Sequence, residues 1–340
     1  MPRATERARH IGTLLDRAER ERRCLFASTG RDAQALGRRA RTGALTKMHR
    51  CLYARTATWN NLRKDEQARW IIRALAHAHP DWTFCLYSAA AMHGLPVSHK
   101  LLAHVHILTN TEAPSESNGL VIRHAEPPGR SVLVEGIRVT PYAHTVIDCM
   151  KYAPFPDGLA IADAALRYFH IEHELLEEIV KHQLAGRPGL HRAMRCASYA
   201  DGRAESGGES IARAVMIDAG ILPSDLQVAF TDPFDNQRVF RSDYLFKRRD
   251  GAAVLGELDG FEKYTDAQML NGRTTAKALV DERQREAHLS VLGMPIVRFT
   301  MEDVWSPGKL VRLLKVAGVT PETLAEQTYL DSAGARTGGR

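Results

Sequence analysis

The sequence predicts an α/β protein in three parts: an N-terminal winged helix-turn-helix over residues 1–60, a central α/β domain over 61–200, and a C-terminal mixed sheet flanked by helices over 209–320. Three observations predict this organisation. Two basic helical segments precede short alternating runs, strand-like runs alternate with helices in the middle, and the last third has the order α-β-β-β-α-β-α.

The composition is that of a soluble globular protein, with 44% hydrophobic and 25% charged residues. No run approaches 18 apolar residues, so we expect no transmembrane helix and no membrane partner. The first residues, MPRATERARH, lack the apolar core of a secretion signal. The five cysteines are widely spread and form no CxxC pair, which is typical of a reducing compartment. These features together predict a cytoplasmic protein.

The positive charge is concentrated at the N-terminus. Residues 1–64 contain 16 Lys and Arg against five Asp and Glu, a net charge of +11, whereas the rest of the chain carries −5. A basic segment on an otherwise slightly acidic protein predicts a polyanionic partner, and DNA is the expected one. The alternative is a solvated basic helix face that binds nothing.

The first 60 residues have the layout of a DNA-binding module. Residues 6–23 are expected to form one helix, since apolar residues in HIGTLLDRA fall near helical spacing, and residues 31–43 a second helix that ends at Gly43. The following ALTKMHRCLYAR predicts a small two-stranded wing. In a winged helix-turn-helix the second helix enters the major groove. The residues expected to contact DNA are Arg38, Arg39, Arg41, Lys47 and Arg50.

The central region predicts alternating helices and strands. An amphipathic helix is expected over 66–78, and strands in HVHIL, GLVIRH and GIRVT. Further helices are expected over 144–152, 157–169 and 172–184. The glycine-rich DGRAESGG at 201–208 is typical of a linker.

Two histidine pairs in this region, His77 with His79 and His104 with His106, have the spacing of metal ligands. An HxH on a strand puts both side chains on one face. No third ligand accompanies either pair, and a structural role is therefore the favoured interpretation.

The C-terminal third carries the chemistry. A helix over 208–219 has Glu209 in its first turn, where a carboxylate also complements the helix dipole. Strands are expected in LQVAFTD, VFRSDYLF, AAVLGELDG and IVRFT, with a charged helix over 272–292 before the last strand and a helix over 306–317 after it. Residues 321–340 are expected to be a disordered tail.

Three acids of these strands are candidate metal ligands. Glu257 and Asp259 are two residues apart on one strand and therefore share a face, while Asp243 has the same geometry on a neighbouring strand. Mg²⁺ or Mn²⁺ takes such hard oxygen ligands. The alternative is a set of salt bridges, and the residues themselves do not decide between the two. The candidate basic partners are Arg241, Lys263, Arg283 and Arg285.

A run of motifs over residues 205–317 resembles a known bacterial family. In order these are GES-(I/L)-x-R, Q-V before D-P, R-x-D-Y, E-x-D-G-x-x-K-Y, E-R-x-R-E-x-x-L and L-G-x-P-I-V-R-F-T. The family's C-terminal domain is related to the very-short-patch-repair endonuclease and other PD-(D/E)XK nucleases, so the resemblance implies a restriction-endonuclease-like domain. In the N-terminal part, ALTKMHRCLYAR, YSAAAMHGLPV and GIRVTPYAHTVIDC are similar to the AbiEi-type antitoxin and transcriptional-regulator architecture of actinobacteria.

The resemblance implies roles for individual residues. Glu209 matches the first-helix glutamate, Asp243 the metal-binding aspartate and Glu257 the first acid of the (D/E)XK motif. Asp259 stands where that motif has lysine, which normally orients the attacking water and stabilises developing negative charge. The residues that could replace the lysine or position the water are Lys263, Arg283, Arg285 and Gln227.

Three functions follow as expectations. The first is a Mg²⁺-dependent DNA endonuclease, with its DNA held by the N-terminal domain. The second is a DNA-binding transcriptional regulator or antitoxin with a degenerate nuclease fold and no turnover. The third is a component that acts with a toxin or another defence-system protein, and a homodimer is compatible with each.

Overall fold

The computed structural model describes most of the chain. The described residues are 2–109, 119–125, 129–259, 283–284, 287–289, 291 and 293–321. They form two compact units, an N-terminal unit (Met1–Tyr152) and a C-terminal unit (Ala153–Arg340). Because each unit has its own core, each is described by itself.

The N-terminal unit begins with two helices and a small sheet. The elements are α1 (Pro2–Arg20), β1 (Leu25–Phe26), α2 (Gly30–Arg41), β2 (Leu45–His49) and β3 (Leu52–Arg55). The antiparallel sheet has the order β1-β3-β2. Both expected helices and the expected two-stranded hairpin are therefore present, and β1 is an additional strand between the helices.

Local sequence sets the ends of α2. The Thr29 hydroxyl accepts a hydrogen bond from the amide of Asp32 (3.1 Å) and so caps the first turn. Gly43, with φ of +78°, follows the last turn in the left-handed conformation that glycine adopts without strain. The buried side chains of Ile11, Leu36 and Tyr53 pack α1, α2 and the hairpin together.

The rest of the N-terminal unit is mixed helix and strand. Its elements are α3 (Thr56–Asn60), α4 (Lys64–Ala78), α5 (Leu86–Met92), β4 (Val105–Thr109), β5 (Val121–Ala125), β6 (Val132–Val134), β7 (Ile137–Val139) and α6 (Tyr142–Tyr152). Strands β4 and β5 pair in parallel, and β6 and β7 form an antiparallel hairpin. Trp70, Phe84 and Ile107 belong to the core of this part. The expected strands are confirmed, and β6 is additional.

The C-terminal unit begins with helices that the sequence analysis assigned to the central domain. They are α7 (Phe155–Phe169), α8 (His173–Leu184) and α9 (Leu190–Ser198), followed by α10 (Gly207–Asp218). The division at 152/153 thus falls within the predicted 61–200 domain. A buried ion pair explains this packing, because the Arg213 guanidinium on α10 donates to both carboxylate oxygens of Asp163 on α7 (2.8 and 2.7 Å).

A four-stranded mixed sheet follows, as expected. Its strands are β8 (Asp225–Asp232), β9 (Asp235–Lys247), β10 (Ala253–Asp259) and β11 (Ile296–Thr300), and the last helices are α11 (Met301–Trp305) and α12 (Pro307–Val316). The order is β11-β10-β9-β8, with β10 and β11 parallel and the other pairs antiparallel. The described residues of the expected 272–292 helix are helical. The other residues of 272–292 and residues 322–340 lie outside the described residues.

One face of this sheet is covered by helices. Val254, Leu258 and Phe299 point into a core that also contains Met216 of α10 and Leu310 of α12. Since side chains alternate along a strand, the acids of β10 lie on the other face, as expected. No helix in the described part of the chain is long and apolar enough to cross a membrane.

Candidate active site

Four polar side chains form a row across the C-terminal sheet. Glu257 of β10 pairs with Arg298 of β11. Asp243 and Glu257 are each adjacent to the last β9–β10 pair, Tyr244 with Gly256. Gln227 lies between Leu226 and Val228, which pair with Tyr244 and Ser242 on either side of Asp243. We call these residues the cross-sheet row: Gln227, Asp243, Glu257 and Arg298. Within the row, Arg298 Nη2 lies 3.2 Å from Glu257 Oε2, and Gln227 Nε2 lies 3.5 Å from Asp243 Oδ1.

Strands β9 and β10 separate at this row. Their backbone pairing ends at Gly256 opposite Tyr244. Beyond that pair, the Asp243 carboxylate accepts a hydrogen bond from the amide of Leu258 (2.9 Å), and the Ser242 hydroxyl donates to the carbonyl of Gly256 (3.1 Å). Side chains thus replace the backbone ladder, and one Asp243 oxygen is held in place by the strand that carries Glu257.

Glu209 is held at the start of α10 by local hydrogen bonds. The Ser206 hydroxyl donates to its Oε1 (2.7 Å), and the amide of Glu205 donates to its Oε2 (2.8 Å). The Tyr244 hydroxyl, on β9, donates to the Glu209 carbonyl (2.7 Å) and so links this helix end to the sheet. Glu209 thus lies in the first turn of α10, as expected, and it is also beside the row.

Gln227 joins Glu209 to the row. Its Nε2 donates to Glu209 Oε2 (2.8 Å) and lies 3.5 Å from Asp243 Oδ1. The backbone of Gln227 is in the left-handed region, with φ of +53°. This conformation costs a non-glycine residue on the order of 1 kcal/mol and is found disproportionately at functional sites. In this protein the conformation occurs at the residue whose side-chain amide lies between two carboxylates.

The electrostatics of Glu209 reflect this crowding. Burial raises the pKa of its carboxyl, and the negative charge of Asp243 raises the pKa further, while the hydrogen bond from Ser206 lowers it. Two carboxylates around one neutral amide disfavour ionisation of Glu209. A cation bound beside them would relieve that cost.

The acids of β10 share a cation that the sequence analysis missed. Arg298, on β11, has Nη2 3.2 Å from Glu257 Oε2 and Nη1 3.8 Å from Asp259 Oδ1. Glu257 is buried and Asp259 is one-third exposed. The signal for Arg298 was present in IVRFT, where buried Val297 and Phe299 alternate with it, but it requires knowing that β11 pairs in parallel with β10.

Two of the four cations proposed for these acids from the sequence lie within the described residues. The Arg241 guanidinium pairs with Glu205 (2.6 Å). Arg283 is exposed on the helix before β11. Lys263 and Arg285 lie outside the described residues. The salt-bridge interpretation therefore has a structural basis, but through Arg298.

The donor set suits a hard metal ion in type, although it is divided. Carboxylate and amide oxygens are the ligands that Mg²⁺ and Mn²⁺ prefer. They form two pairs: Glu209 with Asp243 around Gln227, and Glu257 with Asp259 around Arg298. In the described part of the chain, no group of three or more His, Cys, Asp or Glu side chains is gathered to hold a metal ion. The oxygen atoms of these residues are of the type that Mg²⁺ and Mn²⁺ bind. All four acids could bind one ion only if the two pairs came together.

In the N-terminal unit, the exposed face of α2 is polar and basic. The face consists of residues three or four positions apart, all exposed: Arg31, Gln34, Arg38 and Arg41. Arg31 and Gln34 are additions to the predicted residues. Arg39 is half-buried, and its guanidinium donates to the carbonyl of Ala8 (3.3 Å), so it points away from this face.

Other cations of this segment are neutralised by acids. Arg7 pairs with Asp32 (2.7 Å), and Arg55 pairs with Glu19 and Asp16. Across the described residues, by contrast, no carboxylate lies within salt-bridge distance of the exposed cations of α2 and the hairpin, which are Arg31, Arg38, Arg41, Lys47 and Arg50. Within the described residues, these five cations of α2 and the hairpin are thus left without an internal counter-charge.

The histidine pairs have structural partners. His79 stacks on Trp82 with ring centroids 4.0 Å apart. His106 Nδ1 lies 2.9 Å from His124 Nε2, and burial, together with the neighbouring His124 and His104, lowers the pKa of His106 to about 4. His106 is therefore neutral at physiological pH, which agrees with the structural interpretation.

Two proteins of Mycobacterium tuberculosis are similar to this chain: Uncharacterized protein Rv2248 of strain H37Rv and Uncharacterized protein MT2308 of strain CDC 1551. Each is 32% identical over 228 residues, which is 66% of this chain and 77% of theirs. The chain belongs to their family. The similarity is longer than either compact unit, so the family shares parts of both units. No family model and no solved structure matches this chain.

Proposed function

We propose that the protein is a metal-dependent DNA endonuclease whose N-terminal unit binds the DNA. The observation that carries this proposal is the cross-sheet row, in which Asp243 and Glu257 are each adjacent to the last backbone pair of β9 and β10, Asp243 accepts from the amide of Leu258, and Glu209 is joined to the row through Gln227. Acids from a helix start and two strands, distant in the sequence, lie in two pairs beside the row. Packing alone does not require this arrangement, because burying Glu257 beside other acids carries an electrostatic cost.

In this proposal Asp243, Glu257 and Asp259 hold Mg²⁺ or Mn²⁺. A bound divalent ion polarises the phosphate and lowers the pKa of an attacking water. Glu209 and Gln227 orient that water. The water oxygen would form a bond to phosphorus and release one proton to solvent, while the bond from phosphorus to one sugar oxygen would break and that oxygen would take up a proton from solvent.

The DNA-binding part of the proposal is supported by α2. Arginine and glutamine are side chains that read base edges in the major groove, and the exposed face of α2 presents them at helical spacing. Lys47 and Arg50 of the hairpin are suited to phosphates. The proposal assigns these elements the role of a winged helix-turn-helix.

A plasmid-nicking assay with Mg²⁺ or Mn²⁺ tests the nuclease. Asp243→Ala and Glu257→Ala are each expected to lower the nicking rate on the order of 100-fold or more, since each removes a proposed metal ligand. Asp250→Ala, in the exposed turn between β9 and β10, is the matched acidic control and is expected to nick at the wild-type rate. Undiminished nicking by both site variants would show that these acids are not the site.

A second candidate function is a DNA-binding regulator or antitoxin without turnover. The observation that favours it is Arg298, which already neutralises Glu257 and Asp259. This candidate predicts DNA binding in the presence of EDTA and no nicking with any divalent ion. Electrophoretic mobility shifts with wild type and Asp243→Ala decide it: equal affinities, together with intact plasmid, favour the regulator.

A further inference from the structure

The N-terminal unit contains a cavity between α1, β1, α2 and the end of α4. Its volume is about 370 Å³, and small-molecule sites in proteins have volumes of roughly 300–1,000 Å³. The apolar part of its wall consists of Leu14, Leu25, Phe26, Ala27 and Leu36. The cavity therefore has the size and the wall to accept a small molecule with an apolar body.

Arginine supplies a polar part of the lining. Arg23 is buried, with its side chain 7% exposed; its Nε donates to Glu21 Oε2 (2.6 Å) and its Nη1 to the carbonyl of Cys24 (3.3 Å). Across the described residues, its Nη2 has no hydrogen-bond partner, although this nitrogen is not sealed from solvent. One edge of a largely buried guanidinium is thus available to a ligand.

The charges around Arg23 favour an anion. The Glu21 carboxylate is shared, because Arg17 donates to its Oε1 (2.8 Å) and Arg23 to its Oε2. One carboxylate therefore faces two guanidinium groups, which leaves an excess positive charge beside the cavity. Asp32, an acid of the lining, is already paired with Arg7 (2.7 Å), so it does not offset that charge.

Water by itself matches this lining poorly. Ordered water needs several polar partners, and apolar walls do not supply them. A carboxylate suits the open edge of a guanidinium, since the two groups form parallel, charge-assisted hydrogen bonds. An apolar body attached to that carboxylate would cover the leucine side chains and displace water from them.

We propose that this cavity binds a small monocarboxylate with an apolar body, whose carboxylate pairs with Arg23 and whose body packs against Leu14, Leu25 and Leu36. The inference goes beyond the proposed nuclease function and does not depend on it. Because Leu36 is on the buried side of α2, the ligand would lie behind the helix whose exposed face is proposed to bind DNA.

The experiment is a calorimetric titration of the full-length protein with three probes: phenylacetate, 4-phenylbutyrate and octanoate. At least one probe is expected to bind at a single site with a Kd of about 1 mM or tighter. Acetate lacks the apolar body, and the alcohol that corresponds to the best probe lacks the charge. Each of the two is expected to bind at least about tenfold more weakly than that probe.

Variants locate the bound probe. Arg23→Gln removes the buried charge and is expected to weaken binding about tenfold. Arg17→Gln changes a mostly exposed side chain and leaves Glu21 to neutralise Arg23, so binding is expected to weaken about threefold. Ala78→Leu adds side-chain volume to the lining and is expected to weaken binding about tenfold. Arg20→Gln, at an exposed arginine of α1 outside the lining, is the control and should match wild type.

Three results would overturn the inference. The first is no saturable binding of any of the three probes at concentrations up to about 10 mM. The second is equal affinity for the best probe and for either acetate or the alcohol. The third is unchanged binding in both Arg17→Gln and Ala78→Leu, which would place the probe outside the cavity even if Arg23→Gln does not fold. These measurements involve neither DNA nor nicking, so their failure leaves the nuclease proposal unaffected.

Discussion

At the scale of single residues, Gln227 decides how the site is assembled. Its left-handed backbone directs a neutral amide between Glu209 and Asp243, which come from a helix and from a different strand. The amide satisfies both acids partly and neutralises neither. The electrostatic cost falls on Glu209, whose carboxyl has a raised pKa.

The first prediction concerns Glu209 and pH. Because the pKa of Glu209 is raised in the folded state, the folded protein binds this proton more readily than the unfolded chain. The stability that this proton contributes is present at acidic pH and is lost as pH rises from the unfolded pKa through the folded pKa. Glu209→Gln is therefore expected to gain stability relative to wild type as pH rises through this window, as measured by urea unfolding.

Glu302→Gln, at an exposed glutamate of α11, is the control for this series. Saturating Mn²⁺ should abolish the advantage of Glu209→Gln if an ion binds beside this carboxylate. A difference between Glu209→Gln and wild type that grows toward acidic pH would contradict the assignment.

The second prediction concerns the ion pair between Asp163 and Arg213. Both side chains are buried, so removal of one leaves the other charge without compensation. Asp163→Ala is expected to lower the free energy of unfolding by about 3–5 kcal/mol. Asp218→Ala removes the exposed pair with Arg195 and should cost no more than about 1 kcal/mol. If urea unfolding gives similar losses of unfolding free energy for the two variants, the buried pair does not stabilise the fold more than the exposed pair does.

At the scale of elements, α2 and β11 are the informative ones. Helix α2 places its apolar residues Ala35 and Leu36 in the core, and this alone orients the exposed basic face. Strand β11 places Arg298 beside Glu257 because its partner strand runs parallel to it. In both cases a buried apolar pattern positions a charged side chain.

The third prediction tests the exposed face of α2. The double variant Arg38→Ala/Arg41→Ala is expected to bind DNA more weakly, and the slope of log affinity against log salt should fall by about 1 for each phosphate that the variant no longer neutralises. Arg39→Ala is the matched control, because its guanidinium is engaged by the carbonyl of Ala8. Fluorescence anisotropy over a range of salt concentrations measures both quantities. If Arg39→Ala weakens DNA binding more than the double variant does, the exposed face of α2 is not the DNA interface.

At the scale of the whole molecule, the proposed DNA-binding face and the cross-sheet row belong to different compact units. The family relationship covers parts of both. We expect binding and cleavage to be separable by mutation, because a residue that binds the ground state and the transition state equally changes the DNA concentration needed but not the rate at saturation.

The fourth prediction uses this separation. Arg38→Ala/Arg41→Ala is expected to raise the DNA concentration for half-maximal nicking about tenfold or more and to leave the rate at saturation near wild type. Asp243→Ala is expected to lower the rate at saturation. Nicking rates over a series of DNA concentrations distinguish the two. If the arginine variant slows nicking at saturating DNA as much as Asp243→Ala does, binding and cleavage are not separable.

Much of the architecture was predictable from local patterns. The helix ends at Thr29 and Gly43, the strand around Asp243 and the shared face of Glu257 and Asp259 all follow from capping and two-residue alternation. The additional strand β1 has only two residues, too few for periodicity to detect. The boundary at 152/153 depends on the packing of α7 against α10, which no local pattern reports.

The sequence by itself determined which side chains are available: a helix-start glutamate, strand acids on one face, an aspartate in place of a lysine, and a basic N-terminal segment. Only the tertiary structure decided which of them meet. Gln227 joins Glu209 to Asp243, and Arg298 lies against Glu257, because strand register brings together residues far apart in the chain. The physical reason is that alternation and capping act over a few residues, whereas electrostatic partnership depends on distance in space.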